Sequence, residues 1–126
     1  MKDTKDFDEL KFFAEVKKRP GMYCGVPSLR SLRDYISGME YAFSFSFDES
    51  PLRYFNAFIN RYQTETIKDT NGYACWWNHL LYICGNDDRE AFDRFFVLFE
   101  RYLHDAYQAG LPTVKKTEII DTIPEV

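Results

Sequence analysis

The sequence lacks any apolar run approaching the roughly 20 residues with which a helix crosses a bilayer, so no membrane span is expected. Its charged opening, Met1-Lys2-Asp3-Thr4-Lys5-Asp6, has no apolar stretch of the kind a secretory signal needs. Histidine is scarce. His79 and His104 are the whole supply, and neither has a cysteine or carboxylate at ligand spacing, so no metal centre is expected. The three cysteines, Cys24, Cys75 and Cys84, are odd in number and follow no metal pattern. They read as reduced thiols of a cytoplasmic protein, and a Cys75–Cys84 disulfide is disfavoured if both lie on one helix. Phosphate-cradling loops of the G-x-G-x-x-G and G-x-x-x-x-G-K-[ST] types are missing too, and no cofactor is expected.

Aromatic residues are abundant instead: 12 Phe, 9 Tyr and 2 Trp among 126 residues. A buried ring removes roughly 150–250 Å² from water, so a few helices suffice to build a core. The length suits one domain, 1–126. Net charge is −4, which argues against nucleic-acid binding and suits a protein that meets a basic partner. Charge is unevenly placed. Lys11, Lys17, Lys18, Arg19, Arg30 and Arg33 share their stretch with one acid, Glu15, whereas residues 34–49 and 87–93 contribute four acids each.

Hydrophobic periodicity predicts five helices in a compact all-α bundle, with a short extended C-terminal piece as the mixed alternative. The first covers about residues 6–18, capped by Asp6 or Asp8, and stops before Pro20. Residues 19–27 read as a structured, non-helical loop, given two prolines and two glycines. Ser28 caps a second helix over 29–44 with the stripe Leu29, Leu32, Ile36, Met39 and Phe43. Gly38 within it marks either a close helix approach or a weak point. Ser50-Pro51 opens a third helix carrying Leu52, Phe55, Phe58 or Ile59, and Tyr62. The chain then turns polar over 63–72, with a turn at Asp69-Thr70-Asn71-Gly72. A fourth segment, 73–84, bears Trp76, Trp77, Leu80, Leu81 and Cys84 and ends at Gly85. The fifth begins with the capping pair Asp87 and Glu90, presents Phe92, Phe95, Phe96, Phe99, Tyr102 and Leu103, and ends at Gly110 and Pro112. The tail, 113–126, reads as flexible or as an extended piece around Thr117-Glu118-Ile119-Ile120.

Chemistry is thin. Cys75 and His79 lie one helical turn apart and form the sole nucleophile–base pairing, without an orienting carboxylate or oxyanion hole. The acids Asp87, Asp88, Glu90 and Asp93 sit where a helix dipole favours negative charge, so partner binding is their further role. Of Trp76 and Trp77, about 100° apart on a helix, one ring is expected in the core and the other near the surface, where it can anchor a partner. The basic residues from Lys17 to Arg33 read as a solvated helix-end face.

Arg19-Pro20-Gly21-Met22-Tyr23 followed by Gly25 resembles a loop of the GHKL ATPase domain of type II topoisomerases. That family also needs a catalytic Glu and a magnesium-binding Asn on the next helix, then a D-x-G-x-G turn. Here residues 32–40 read Leu-Arg-Asp-Tyr-Ile-Ser-Gly-Met-Glu without the Asn, and no such turn exists, so ATPase activity is not expected.

A wider pattern joins the same loop to Ser28-Leu29-Arg30-Ser31-Leu32 and to a helix with Gly38 and Ala42. It continues through Asn60-Arg61-Tyr62, then Trp77-Asn78-His79-Leu80-Leu81, then the Phe-rich run from Glu90 to Phe99. This order is similar to small helical immunity proteins that accompany polymorphic or contact-dependent bacterial toxins. The resemblance implies a cytoplasmic, non-catalytic protein that binds and neutralises a cognate toxin C-terminal domain. The expected contacts are the acids Asp48, Glu49, Asp87, Asp88, Glu90 and Asp93 with Trp76 or Trp77 as anchor. Arg19, Pro20, Gly21, Met22, Tyr23 and Gly25 are then structural, with Met22 and Tyr23 packed inward. A small regulatory or scaffold domain with another protein partner is the alternative.

Overall fold

The computed structural model describes residues 7–68 and 75–108. Six α-helices follow one another: α1 (Glu9–Lys18), α2 (Pro20–Tyr23), α3 (Leu29–Phe43), α4 (Arg53–Arg61), α5 (Trp76–Ile83) and α6 (Asp88–Gln108). A π-helical turn, Tyr62–Ile67, extends α4, and no strand occurs among the described residues. The expected turn at Asp69, the start of the fourth segment at 73, the end of the last helix at Gly110 and the whole tail lie outside the described residues.

The long α6 is the spine, against which α3, α4 and α5 pack. Its buried face carries Ala91, Phe92, Phe95, Phe96, Phe99, Leu103 and Ala106, spaced by threes and fours as an amphipathic helix requires. From α1, Phe13 meets Phe99 edge-on at 4.9 Å and lies parallel to Phe55 of α4 at 5.7 Å. Phe58 reaches Phe99 at 5.5 Å, and Phe95 stacks on Phe99 at 5.6 Å. These offset and edge contacts suit the ring quadrupole and add to the apolar burial. Leu29, Leu32 and Ile36 close the core from α3.

Local sequence sets most helix ends. Asp8 Oδ1 accepts the Lys11 N–H at 3.0 Å, and Ser28 Oγ accepts that of Ser31 at 3.2 Å. Asp87 Oδ1 accepts the Glu90 N–H at 3.1 Å, as its capping pattern predicts. Gly85 and Asn86, both at positive φ, end α5.

Four expectations need correction. Residues 20–23 form a short helix, because Pro20 occupies its first turn, where the missing N–H and fixed φ are tolerated. Met22 in that helix is 71% exposed, since one turn offers a single face to the core and Tyr23 takes it. The third long helix starts at Arg53, not at Ser50-Pro51: Leu52 is fully buried in a non-helical conformation, and Ser50 Oγ accepts the Leu52 N–H at 3.1 Å. The polar stretch after Tyr62 continues helically. Its i→i+5 winding stacks residues five apart, so Tyr62 and Ile67 both face the core.

Gly38 makes no close helix approach. A Cβ there would meet nothing within 4 Å.

Candidate functional site

The acids expected to bind a partner fall into two groups with different duties. Asp88 is committed to the fold. Its carboxylate accepts the Arg30 N–H at 3.1 Å, the Arg30 guanidinium at 2.6 Å and the Ser28 hydroxyl at 3.2 Å, tying the start of α6 to the start of α3. Asp87 caps α6. Asp93 pairs with Arg89 one turn away at 3.6 Å, and Glu90 is exposed. The first turn of α6 is thus largely explained by capping, dipole and cross-linking.

Asp48 and Glu49 are different. Both are exposed on the loop after α3, and among the described residues neither has an ion pair. Seven and three residues before Asp48 in the chain stand two rings that the fold does not use. Tyr41 is 71% exposed and Phe45 is 70% exposed, and they meet edge-on at 5.2 Å. The Ser44 hydroxyl donates to the Tyr41 carbonyl at 2.6 Å and holds the helix end between them. Phe43 turns the other way, onto Phe7 at 5.1 Å and Phe47 at 5.4 Å. The pair was legible in the sequence. At 100° per residue, Tyr41 falls roughly 180° from the buried Leu32, so it is an apolar ring on the polar face.

Neither tryptophan is a free anchor. Trp76 is half-buried against Phe55 at 5.7 Å and Phe95 at 5.6 Å. Trp77 is half-buried as well, and the Arg33 guanidinium lies over its ring at 4.0 Å. Arg33 in turn pairs with Asp34 at 2.8 Å.

In the Arg19–Gly25 segment, the Met22 N–H donates to the Arg19 carbonyl at 3.0 Å and the Cys24 N–H to the Pro20 carbonyl at 2.9 Å. Tyr23 packs on Phe12 at 6.3 Å and Tyr35 at 6.5 Å. Gly25, with φ +85°, makes the turn that a side chain would strain. The segment joins α1 to α3, while the exposed side chains of Met22 and Val26 lie outside that role.

The Cys75–His79 pairing has backbone geometry only. The His79 N–H donates to the Cys75 carbonyl at 3.1 Å, while His79 Nδ1 shares a 2.7 Å hydrogen bond with the Tyr62 hydroxyl. Burial pushes the Tyr62 phenol up to about 12 and raises the thiols of Cys24 and Cys84, which keeps all three protonated at neutral pH. No group of three or more metal-ligating side chains occurs among the described residues. No helix among them is long and apolar enough to cross a membrane.

Two buried acids went unnoticed in the sequence. Glu9, 5% exposed, accepts the N–H groups of Tyr54 at 2.8 Å and Phe55 at 2.7 Å, and burial pushes its carboxyl up to about 7. Glu100, 3% exposed, pairs with Lys17 at 2.5 Å. Both link α1 to another helix and serve the fold.

No protein-family model, no curated protein and no solved structure matches this chain.

Proposed function

We propose that this protein works by binding another protein through the tip of α3 and the loop behind it, and that the partner is a basic bacterial toxin domain which it neutralises without chemistry of its own. The observation that carries the reading is the Tyr41–Phe45 pair, exposed at 71% and 70% and followed in the chain, three residues after Phe45, by the exposed acids Asp48 and Glu49. Large rings ringed by charge are the usual makings of an interface anchor. Carboxylates beside them draw in a basic surface and speed its encounter. The likeness of the Arg19–Gly25 loop and its following helices to immunity proteins supplies the toxin as partner. Stoichiometric cover of a toxin surface needs only a rigid scaffold, which the phenylalanine core provides.

The test is co-expression with candidate basic toxin domains, beginning with any encoded beside this gene. Rescue of growth and capture of one such domain are expected from the native chain. Both are lost when Tyr41→Ser and Phe45→Ser are combined, with the melting curve unchanged. Asp48→Lys with Glu49→Lys slows association, and the effect shrinks as salt rises. Capture that survives all four substitutions overturns the assignment of this surface. Absence of rescue and capture by the native chain overturns the toxin reading itself.

A further inference from the structure

A second surface, of opposite sign, lies elsewhere on the molecule. A cleft of about 300 Å³ opens between the end of α4, with its π-helical turn, and the outer face of α6. Its floor is apolar: Phe58, Leu98 and Tyr102, with Ile83 at the rim. Three guanidinium groups line it, those of Arg61, Arg94 and Arg101.

The three arginines are not equivalent. Arg61 is occupied, pairing with Glu65 at 3.0 Å and lying over the Tyr102 ring at 5.6 Å. Arg94 and Arg101 are exposed and form no ion pair among the described residues. They are seven residues apart on α6, two turns along one face, which sets them roughly 10 Å apart along the axis. Leu98 lies between them, one turn from each. In a chain of net charge −4, two unpaired guanidiniums flanking an apolar strip need a reason beyond solubility.

We propose that this cleft is a binding site for an acidic, aliphatic-rich segment of a protein partner, whose carboxylates pair with Arg94 and Arg101 while an apolar side chain between them sits on Leu98 and Tyr102. The chemistry of the lining selects this occupant. A lone small carboxylate satisfies one guanidinium and leaves the other two turns away. A nucleic-acid backbone wants a continuous basic track, whereas here Glu65 and Asp105 both act on Arg61, and the two remaining guanidiniums, Arg94 and Arg101, are set apart by the apolar Leu98. Carboxylates suit the guanidinium fork, and bidentate pairing fixes the register of the segment. The rim favours a macromolecule, because Ile83, which lines the cleft, is still 47% exposed and offers apolar surface for a longer segment to cover. This site does not depend on the α3 tip or on the toxin reading.

The experiment is selection of a randomised peptide display library on the full chain, compared with a variant carrying Arg94→Glu and Arg101→Glu. Both positions are exposed, and matching circular dichroism melts establish that the variant folds. Enrichment on the native chain of sequences alternating Asp or Glu with Leu, Ile or Val, lost at least tenfold on the variant, is the expected result. A synthetic copy of an enriched sequence should bind more weakly as salt rises and bind a Tyr41→Ser, Phe45→Ser chain unchanged. Enrichment of basic or neutral sequences, no enrichment, or equal enrichment on the variant overturns the proposal. Binding of a single-stranded oligonucleotide to the native chain that is lost on the variant overturns it equally.

Discussion

Glu9 Oε2, on α1, accepts the backbone N–H of Phe55 at 2.7 Å across 46 positions of sequence. Helix α4 begins after Leu52, whose side chain is buried and cannot cap. Its first N–H groups would be orphaned beneath α1 without the carboxylate. The Glu9 side chain therefore acts as the N-cap of a helix to which it does not belong, in a setting where its own charge is disfavoured by burial.

That arrangement makes stability depend on pH in an unusual direction. The Glu9 carboxyl rises from an ordinary 4.5 to about 7 on folding. Below 4.5 both states hold the proton, and between 4.5 and 7 only the folded state does, so stability falls as pH rises through that window. At about 1.4 kcal/mol per pH unit, this one group removes about 3 kcal/mol by neutral pH. Glu9→Gln keeps an acceptor without the charge, so its chemical-denaturation profile should gain on the native one steadily from pH 4.5 to 7. Parallel profiles would contradict this account of Glu9. Glu9→Ala leaves the Tyr54 and Phe55 N–H groups unpaired and should cost about 2–4 kcal/mol near pH 4.5, a cost that shrinks by about 3 kcal/mol as the pH rises to 7.

Lys17→Met should destabilise the protein by about 1–3 kcal/mol, because it strands the carboxylate of Glu100, which is 3% exposed. The double variant Lys17→Met, Glu100→Gln should recover a large part of that loss. Urea titrations of the two single variants and the double give the coupling directly.

Two acids one and a half turns apart on α6 should behave differently. Asp88→Asn weakens contacts to Arg30 and Ser28 and should cost about 1–2 kcal/mol. Asp93→Asn disturbs one exposed pair with Arg89 and should fall within about 0.5 kcal/mol of the native protein. An Asp88→Asn effect within about 0.5 kcal/mol in thermal melts would show that the α3–α6 link carries no stability.

Gly38→Ala should raise stability by about 0.5–1 kcal/mol. The position lies inside α3, its Cβ would meet nothing within 4 Å, and alanine lowers the entropy of the unfolded chain. A drop in melting temperature would contradict the open space around this position.

Helices and core were legible because both depend on neighbours in sequence. Leu29, Leu32 and Ile36, or Phe92, Phe95, Phe96 and Phe99, announce a buried face by spacing alone. Asp8, Ser28 and Asp87 announce caps because each acts within three residues. Met22 misled for the same reason in reverse: a single helical turn has no periodicity from which to read its inner face. Tyr41 and Phe45 carried a usable signal, being apolar residues off the α3 stripe, yet an aromatic-rich chain hides two exposed rings among many buried ones.

By itself, then, the sequence determined the helical class, the phenylalanine core and the starts of α1, α3 and α6, and it offered eight candidate contacts without ranking them. Only the tertiary structure separated them. It drew Asp88 into a link with Arg30, laid Arg33 over Trp77, and left Asp48 and Glu49 exposed, as it did the rings of Tyr41 and Phe45. It also joined Glu9 to α4 and Lys17 to Glu100, across 45 and 83 positions. Helix periodicity acts over three or four residues, whereas the partner of a charge is chosen by how helices pack, and no local pattern records that choice.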